Sequence, residues 1–351
     1  MILAITALLL ALAIAFGRQT AVFGKVKLAL WFFSYFEQKR LLFTIVSLGL
    51  LALAIYNHSF SITLIWFGTI TLLLLLFSFF FDMKFLFPEI KKVEKGIPNN
   101  FPESTKIIGI SIDHLAVAYP LEEVVIPRHI INDMIDDKPV LISYCAICTS
   151  ALAFDSKMNN ENLYFKVAGV WRRNMIIYDT KTHSLWQQAT GECIYGKMKG
   201  SQLTLVSGEN TTLGEWKKKY PKTYFATKCI EARKGYVSRE FMLKAINFIT
   251  PKVLVPGFTD LSDLPVRETV FGIDYNGISK AYPKSEIEGL DVFMDDYGPK
   301  KIKLEYNKTS DYLTASDINE NKEIIVEKHW WLGWKEFHPD TEIWKKAHNK
   351  I

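Results

Sequence analysis

The chain has 351 residues, enough for one large or two modest domains with accessory segments, and 49% of them are hydrophobic. Its net charge of +5 is spread thinly, without a dense Lys/Arg block interleaved with aromatics, which argues against nucleic-acid binding; short runs such as Lys217–Lys219 read as a solvated helix face. Four cysteines are too few for a disulfide scaffold, and they are uneven: Cys145 and Cys148 form a Cys-x-x-Cys, while Cys193 and Cys229 stand alone.

Three apolar stretches come first in the chain. Ile2 to Phe16 is short enough for a signal-peptide core or a spanning helix, and with no clean small-residue cleavage pattern after it we read it as retained. Leu41 to Tyr56 and Thr63 to Phe81 are better spans, joined by a turn of a few residues. Val26 to Phe36 is too short to cross alone and is expected at the interface or buried against its neighbours. Arg18, Lys25, Lys27, Lys39 and Arg40 precede the second span, and Lys84, Lys91, Lys92 and Lys95 follow the third. The 57–62 turn has no Lys or Arg, so the positive-inside rule places the body in the cytoplasm.

From Pro102 the chain turns β-rich and carries an internal repeat. "PESTKIIGISIDHLAVAYP" (Pro102 to Pro120) aligns without gaps to "PVRETVFGIDYNGISKAYP" (Pro265 to Pro283). Each copy reads as a hairpin, turning at Asp113-His114 or at Asn276-Gly277, the latter a dipeptide that tolerates the positive φ of a type I′ turn. Further on, "WKKKYPKT" (Trp216 to Thr223) mirrors "WKEFHPDT" (Trp334 to Thr341). The expected architecture is therefore a mainly β (α+β) soluble body of two related β-rich lobes behind N-terminal transmembrane helices. Residues 1–86 would form the membrane region, 87–230 the first lobe, 231–263 a connector with a short packed helix in "REFMLKAINFI", and 264–351 a degenerate second lobe. "WWLGW" (Trp330 to Trp334) is expected to be the packed closing edge of that second lobe.

Two features belong to the first copy alone. One is "SYCAICTSALAFD" (Ser143 to Asp155), where the sister copy sets "KIKLEYNK" against "LISYCAIC" and builds its strand without cysteines. Sulfurs at i and i+3 leaving a strand can converge for a disulfide or for a thiophilic metal ion such as zinc, copper or iron. Inert buried thiols are the alternative. The other feature is a polar hairpin, "MIIYD" and "SLWQQ" flanking Thr180 to His183, which gathers Arg172, Arg173, Asn174, Asp179, His183, Gln187 and Gln188. Cys145, Cys148, His183, Arg173 and Asp179 are thus candidate catalytic residues, and Cys145, Cys148 and His183 candidate metal ligands. Asp179 and the threonines as simple turn caps, and His183 as an exposed turn residue, are the bland readings of the same positions. Cys193 and Cys229 do not supply the second closely spaced ligand pair that a structural zinc site usually has.

These residues resemble the uncharacterised family catalogued as domain of unknown function 3179. The resemblance rests on Gly109 with Ala118-Tyr119-Pro120, Tyr144 with Cys145 and Cys148, Tyr178-Asp179 with Thr182, Trp186 with Gln188, and Gly191-Glu192, across roughly residues 100 to 290. Its loop usually reads Cys-Pro-Leu-Cys, where this chain has Ala146-Ile147, and the Arg-Asn segment before Tyr178 sits about one residue out of step. Members often carry export signals, which implies an extracytoplasmic body, against the charge-based sidedness; no activity follows from the resemblance. The reading is a membrane-anchored protein, in contact with the lipid bilayer, with a thiol site for metal binding or thiol–disulfide exchange. The alternative is a non-catalytic binding or assembly module with structural cysteines. Whether it is an enzyme, and which small-molecule or protein partner it takes, stay open.

Overall fold

The structure is a computed structural model and describes residues 1–16, 30–31, 34, 38–57, 61–80, 87, 90–98, 101–206, 208–231, 238–244, 247, 264–275 and 277–346. Arg18, Lys25, Lys27, Lys84, Asn276, most of the 26–36 segment and most of the 231–263 connector lie outside these residues.

The apolar stretches fold as helices α1 (Ile2–Phe16), α2 (Arg40–Asn57) and α3 (Ile62–Phe80). α2 and α3, of 18 and 19 residues, are long and apolar enough to cross a membrane, and α1 is shorter. Small side chains let the three approach: Ala4, Ala7 and Ala11 of α1 are fully buried, as are Ala54 of α2 and Thr71 of α3. The Ser47 hydroxyl donates to the Ala7 carbonyl at 2.9 Å. Long apolar side chains such as Leu41, Ile62 and Leu73 stay exposed.

Past residue 90 the β-branched and aromatic runs form strands, as their alternation predicts. In chain order these are β1 (Ile90–Gly96), β2 (Lys106–Ile112), β3 (Leu115–Pro120), β4 (Ile130–Ile135), β5 (Lys138–Cys145) and β6 (Ser150–Asp155). A small hairpin, β7 (Lys157–Met158) and β8 (Glu161–Asn162), leads to β9 (Phe165–Trp171), β10 (Asn174–Asp179), β11 (Leu185–Gln187) and β12 (Cys193–Tyr195). Then come β13 (Thr204–Leu205), β14 (Gly208–Thr212), helix α4 (Leu213–Lys219), β15 (Tyr224–Glu231) and helix α5 (Arg239–Lys244), the described part of the expected connector helix. The chain continues through β16 (Thr269–Tyr275), β17 (Ile278–Pro283), α6 (Lys284–Ile287), β18 (Val292–Tyr297), β19 (Lys300–Asn307) and β20 (Tyr312–Asp317). It ends in β21 (Lys322–Ile324), β22 (Glu327–Trp330), α7 (Trp331–Phe337) and β23 (Glu342–Ile343).

Apart from the two-stranded β7–β8 hairpin, these strands make five sheets in a propeller-like arrangement, rather than the two lobes expected from the sequence. The first is β1-β15-β3-β2-β14, the second β13-β6-β5-β4, the third β12-β11-β10-β9, the fourth β22-β16-β17-β23 and the fifth β18-β19-β20-β21. The parts do not separate because polar contacts bind early strands to late ones. Tyr312 donates to the Gly208 carbonyl at 3.3 Å, Asn307 to Glu215 at 3.1 Å, and the Trp330 amide to the Cys148 carbonyl at 2.8 Å.

The fourth and fifth sheets share strand orders with the first and second: β23-β17-β16-β22 follows β15-β3-β2-β14, and β21-β20-β19-β18 follows β13-β6-β5-β4. Side chains match as well. A β-carbon at Gly109 would lie 2.5 Å from the Trp216 ring, and one at Gly272 would likewise meet Trp334, so both strands need glycine under the tryptophan. The indoles donate to Thr223 and Thr341 at 2.8 and 2.9 Å. Tyr119 and Tyr282 donate to Asp133 and Asp295 at 2.6 and 2.8 Å, with each carboxylate also held by a lysine, Lys95 or Lys280. The third sheet sits in the chain between β6 and β13, and the corresponding step from β20 to β21 is a short turn.

Candidate functional site at Cys145 and Cys148

Period-2 alternation in β5 turns Ile142 and Tyr144 into one core and Leu141 and Cys145 into another, which faces the third sheet. Cys145 stands opposite Ser150 at the end of the β5–β6 ladder, and the turn between them carries Cys148 and then Thr149, a β-branched residue at φ 52. Both thiols are free and buried, 1% and 0% exposed, among Phe165, Met175, Ile177 and Trp186 of the third sheet.

Cys148 is the point where three sheets meet. Its thiol donates to the Arg173 carbonyl at 3.3 Å, in the β9–β10 turn of the third sheet, and accepts from the Asn174 side-chain amide at 3.4 Å, at the start of β10. From the fourth sheet side, α7 presses Gly333 against it, so closely that a β-carbon there would lie 2.8 Å from the sulfur. The two thiols also influence each other, and this splits their ionisation. Burial pushes Cys145 up, but the Cys148 side chain and the backbone N–H groups of Cys148, Met175 and Ile147 outweigh it and leave Cys145 below an ordinary thiol. Cys148 is held well above by its bond to Cys145 and by burial, against a smaller opposing pull from Asn174.

Around the sulfurs lies a buried amide and hydroxyl network. Asn174 donates to Gln188 at 2.9 Å and accepts from Gln187 at 2.7 Å and from the Ala189 amide at 3.0 Å. Gln188 reaches Ser143 and Ser150 at 3.2 and 3.3 Å, which ties the third sheet to both strands of the thiol hairpin. The β9–β10 turn places both Arg172 and Arg173 in the left-handed region, at φ 49 and 59, where Asn-Gly would be at ease. That conformation costs a bulky residue about 1–2 kcal/mol. What holds it is Glu336 of α7, 8% exposed, which accepts from Arg172 Nε at 2.8 Å and pairs with the buried Arg173 guanidinium. Strained backbone concentrated beside the thiols marks this junction as a candidate site.

The remaining candidates fall elsewhere. Asp179 is fully buried, but its carboxylate is used up as a turn cap: it accepts from the Thr182 amide at 2.5 Å, the Thr182 hydroxyl at 2.7 Å, and the Ser184 amide and Trp186 indole at 3.1 Å each. His183 is exposed on that turn and stacks on Tyr178 at 5.9 Å. Among the described residues no three His, Cys, Asp or Glu side chains gather to hold a metal, so Cys145, Cys148 and His183 do not assemble as ligands. The reason is geometric: His183 caps the far end of β10, while the thiols abut its beginning at Asn174. Cys193 shares the thiols' apolar cluster and Cys229 sits in a different one. No sequence pattern points to Ser143, Ser150 or Gly333, and the one signal at Glu336 is the Lys-Glu of "WKEF" where "WKKK" has Lys-Lys.

Next to the site, His129 is buried between Phe87 and Tyr144, with ring centroids 4.3 and 6.0 Å away. Burial pushes its imidazole from 6.5 down to about 4. Above pH 6.5 the ring is neutral whether the chain is folded or not. As pH falls from 6.5 through about 4, the unfolded chain gains a proton that the folded chain refuses, so about 3 kcal/mol of stability is lost across that window. Chemical denaturation across this range should show that loss, and His129→Phe should remove it; an unchanged slope in the variant would contradict the assignment.

A family model described as "Protein of unknown function (DUF3179)" matches residues 86–341, most of the chain, which therefore belongs to that family. No curated protein and no solved structure matches it.

Proposed function

We propose that this member of a family without a described activity is a membrane-anchored dithiol protein. In this reading Cys145 and Cys148 cycle between two thiols and one internal disulfide by exchange with an external disulfide. The observation that carries it is the Cys-x-x-Cys pair set where three sheets meet, with the Asn174 amide 3.4 Å from the Cys148 sulfur; beside it Cys145 is held below an ordinary thiol and Cys148 above. That asymmetry assigns the roles. The Cys145 thiolate attacks one sulfur of the external disulfide, whose S–S bond breaks, and the departing half leaves as a thiolate and takes up a proton. Cys148 then gives its proton to the second departing thiolate as its sulfur attacks Cys145 and breaks the mixed disulfide. The pair has lost two electrons and two protons, and the external disulfide has become two thiols; the reverse sequence reduces the pair. Asn174, which donates to the Cys148 sulfur, steadies the charge that develops there. Both sulfurs are buried, so the turn that carries Ala146 and Ile147 must open for exchange.

Glutathione disulfide tests this on the full chain. Cys148→Ser should trap a glutathione adduct on Cys145 that dithiothreitol removes, and Cys145→Ser should trap far less on Cys148. Absence of any adduct in the folded Cys148→Ser protein would defeat the exchange reading.

Near-complete burial of both sulfurs favours a second reading, a non-catalytic binding or assembly module in which the cysteines are structural. It predicts that the double serine variant keeps its cellular phenotype.

Two supports place the site in a larger design. The exposed apolar side chains of α2 and α3 call for a hydrocarbon surrounding, which supports anchoring in a bilayer, and the basic flanks, Lys39 and Arg40 before α2 and Lys91, Lys92 and Lys95 after α3, favour a cytoplasmic body. The matching strand orders support a two-sheet unit present twice, residues 87–230 and 264–351, with the third sheet inserted into the first copy so that its polar turn reaches the thiols.

A further inference from the structure

The turn that carries Cys148 is bordered by two arginines, one from each neighbouring sheet. The Cys148 thiol donates to the Arg173 carbonyl at 3.3 Å, and its carbonyl accepts from the Trp330 amide at 2.8 Å. Arg172 adjoins the first of these partners: its guanidinium lies over the Phe337 ring at 4.9 Å, and its side chain is 31% exposed. Arg267 lies over the second: its guanidinium is 5.6 Å from the centre of the Trp330 ring, and both residues are half-buried. A guanidinium laid on a ring is held in place and can still present N–H groups at its edge to a carboxylate.

The repeated unit does not need the Arg267–Trp330 stack. The ungapped alignment of Pro102–Pro120 with Pro265–Pro283 sets Ser104 opposite Arg267, and Thr212 precedes α4 where Trp330 precedes α7. The sister copy thus builds the same hairpin and helix start from two small hydroxyl residues, and the stack is an addition in the copy that meets the thiol turn. Charge is uneven there as well. Glu336 gives Arg172 and Arg173 one carboxylate between them, and Arg267 adds a third cation, while the Glu268 carboxylate accepts from the Ser285 amide at 2.9 Å.

We propose that the exchange partner of the dithiol is a small anionic disulfide with carboxylates flanking its sulfurs, received by Arg172 and Arg267. In the first exchange step the Cys145 thiolate attacks one sulfur and the other half departs as a thiolate, so carboxylates and thiolates crowd one turn. Two guanidiniums at its border offset that negative charge. Both sulfurs are buried beneath one short turn, whose opening admits a small molecule more readily than a folded protein.

This inference rests on the dithiol reading above, and the test separates the two. The full chain carrying Cys148→Ser is treated with glutathione disulfide, hydroxyethyl disulfide or cystamine, which are net negative, neutral and positive. The rate of adduct formation on the Cys145 peptide is divided, for each reagent, by that reagent's rate with mercaptoethanol. Glutathione disulfide should lead cystamine by about tenfold, with the neutral reagent between, and about 1 M salt should close the gap. Arg267→Ser, which copies the sister unit, and Arg172→Gln should each cut that lead severalfold and leave the neutral reagent unchanged. Equal normalised rates for all three, or cystamine ahead, would overturn the charge selection with exchange intact. A lead that survives both substitutions in folded protein would show that the arginines do not select, and the inference falls. No adduct from any reagent would defeat the dithiol reading itself and this inference with it.

Discussion

Glu336→Ala is expected to lower the stability of the body by about 3–5 kcal/mol, the range for breaking a buried ion pair by removing one partner. The loss comes less from the pair itself than from what it leaves behind. Arg173 is 8% exposed, so removing Glu336 takes a paired carboxylate away from a desolvated guanidinium. The variant also takes the carboxylate 2.8 Å from Arg172 Nε, leaving the Nη2 bond to the backbone carbonyl of position 336, and so weakens the support of a turn that holds two arginines at positive φ. Glu336→Gln should fall between, since it keeps acceptor geometry but not charge. Glu305→Ala serves as the control: the Lys303–Glu305 pair is half-exposed, and such pairs contribute about 0–1 kcal/mol. Denaturant midpoints that move no further for Glu336→Ala than for Glu305→Ala would contradict the clamp.

Asp179→Ala should destabilise the chain by about 3 kcal/mol, because buried and half-buried donors lose a shared acceptor and each one left without a partner costs about 1–3 kcal/mol. Those donors are the Thr182 and Ser184 amides, the Thr182 hydroxyl and the Trp186 indole. Trp186 is fully buried and packs edge-on to Phe165 at 5.8 Å, so the damage reaches the layer that covers the thiols. Asp179→Asn, which keeps one acceptor oxygen, should lose less. His183→Ala should change stability by no more than about 0.5 kcal/mol, as for most exposed positions. A folded Asp179→Asn protein with normal stability but altered thiol reactivity would show that the carboxylate takes part in the chemistry and is more than a cap.

The contrast between these residues shows what the sequence can and cannot convey. The β2–β3 and β16–β17 hairpins are legible because a local turn signal sits between two apolar runs, and pairing across the turn follows from the register alone, Ile112 with Leu115 and Tyr275 with Ile278. The meeting of the thiol turn with the polar hairpin is half legible: both features lack counterparts in the second copy, and Asn174 and Gln188 do touch the thiol hairpin. The choice among the polar residues was not legible. A β-strand end decides which of them turns toward the sulfurs, and Asn174 at the start of β10 does so, whereas Asp179 and His183 at its other end do not. Gly333 and Glu336 were out of reach because they arrive from more than 160 positions away, brought by α7. The same long-range contacts hold early and late strands in one body: the thiol turn hands its carbonyl to Trp330 and packs on Gly333.

Equilibrating the full chain in glutathione buffers of graded potential, then counting the free thiols of the peptide that spans Cys145 and Cys148, tests the dithiol most directly. One reversible two-electron transition should take both cysteines together and read the same from either direction, with Cys193 still reduced throughout. Two thiols that stay reduced at every potential while the chain remains folded, or that oxidise only on unfolding, would contradict it.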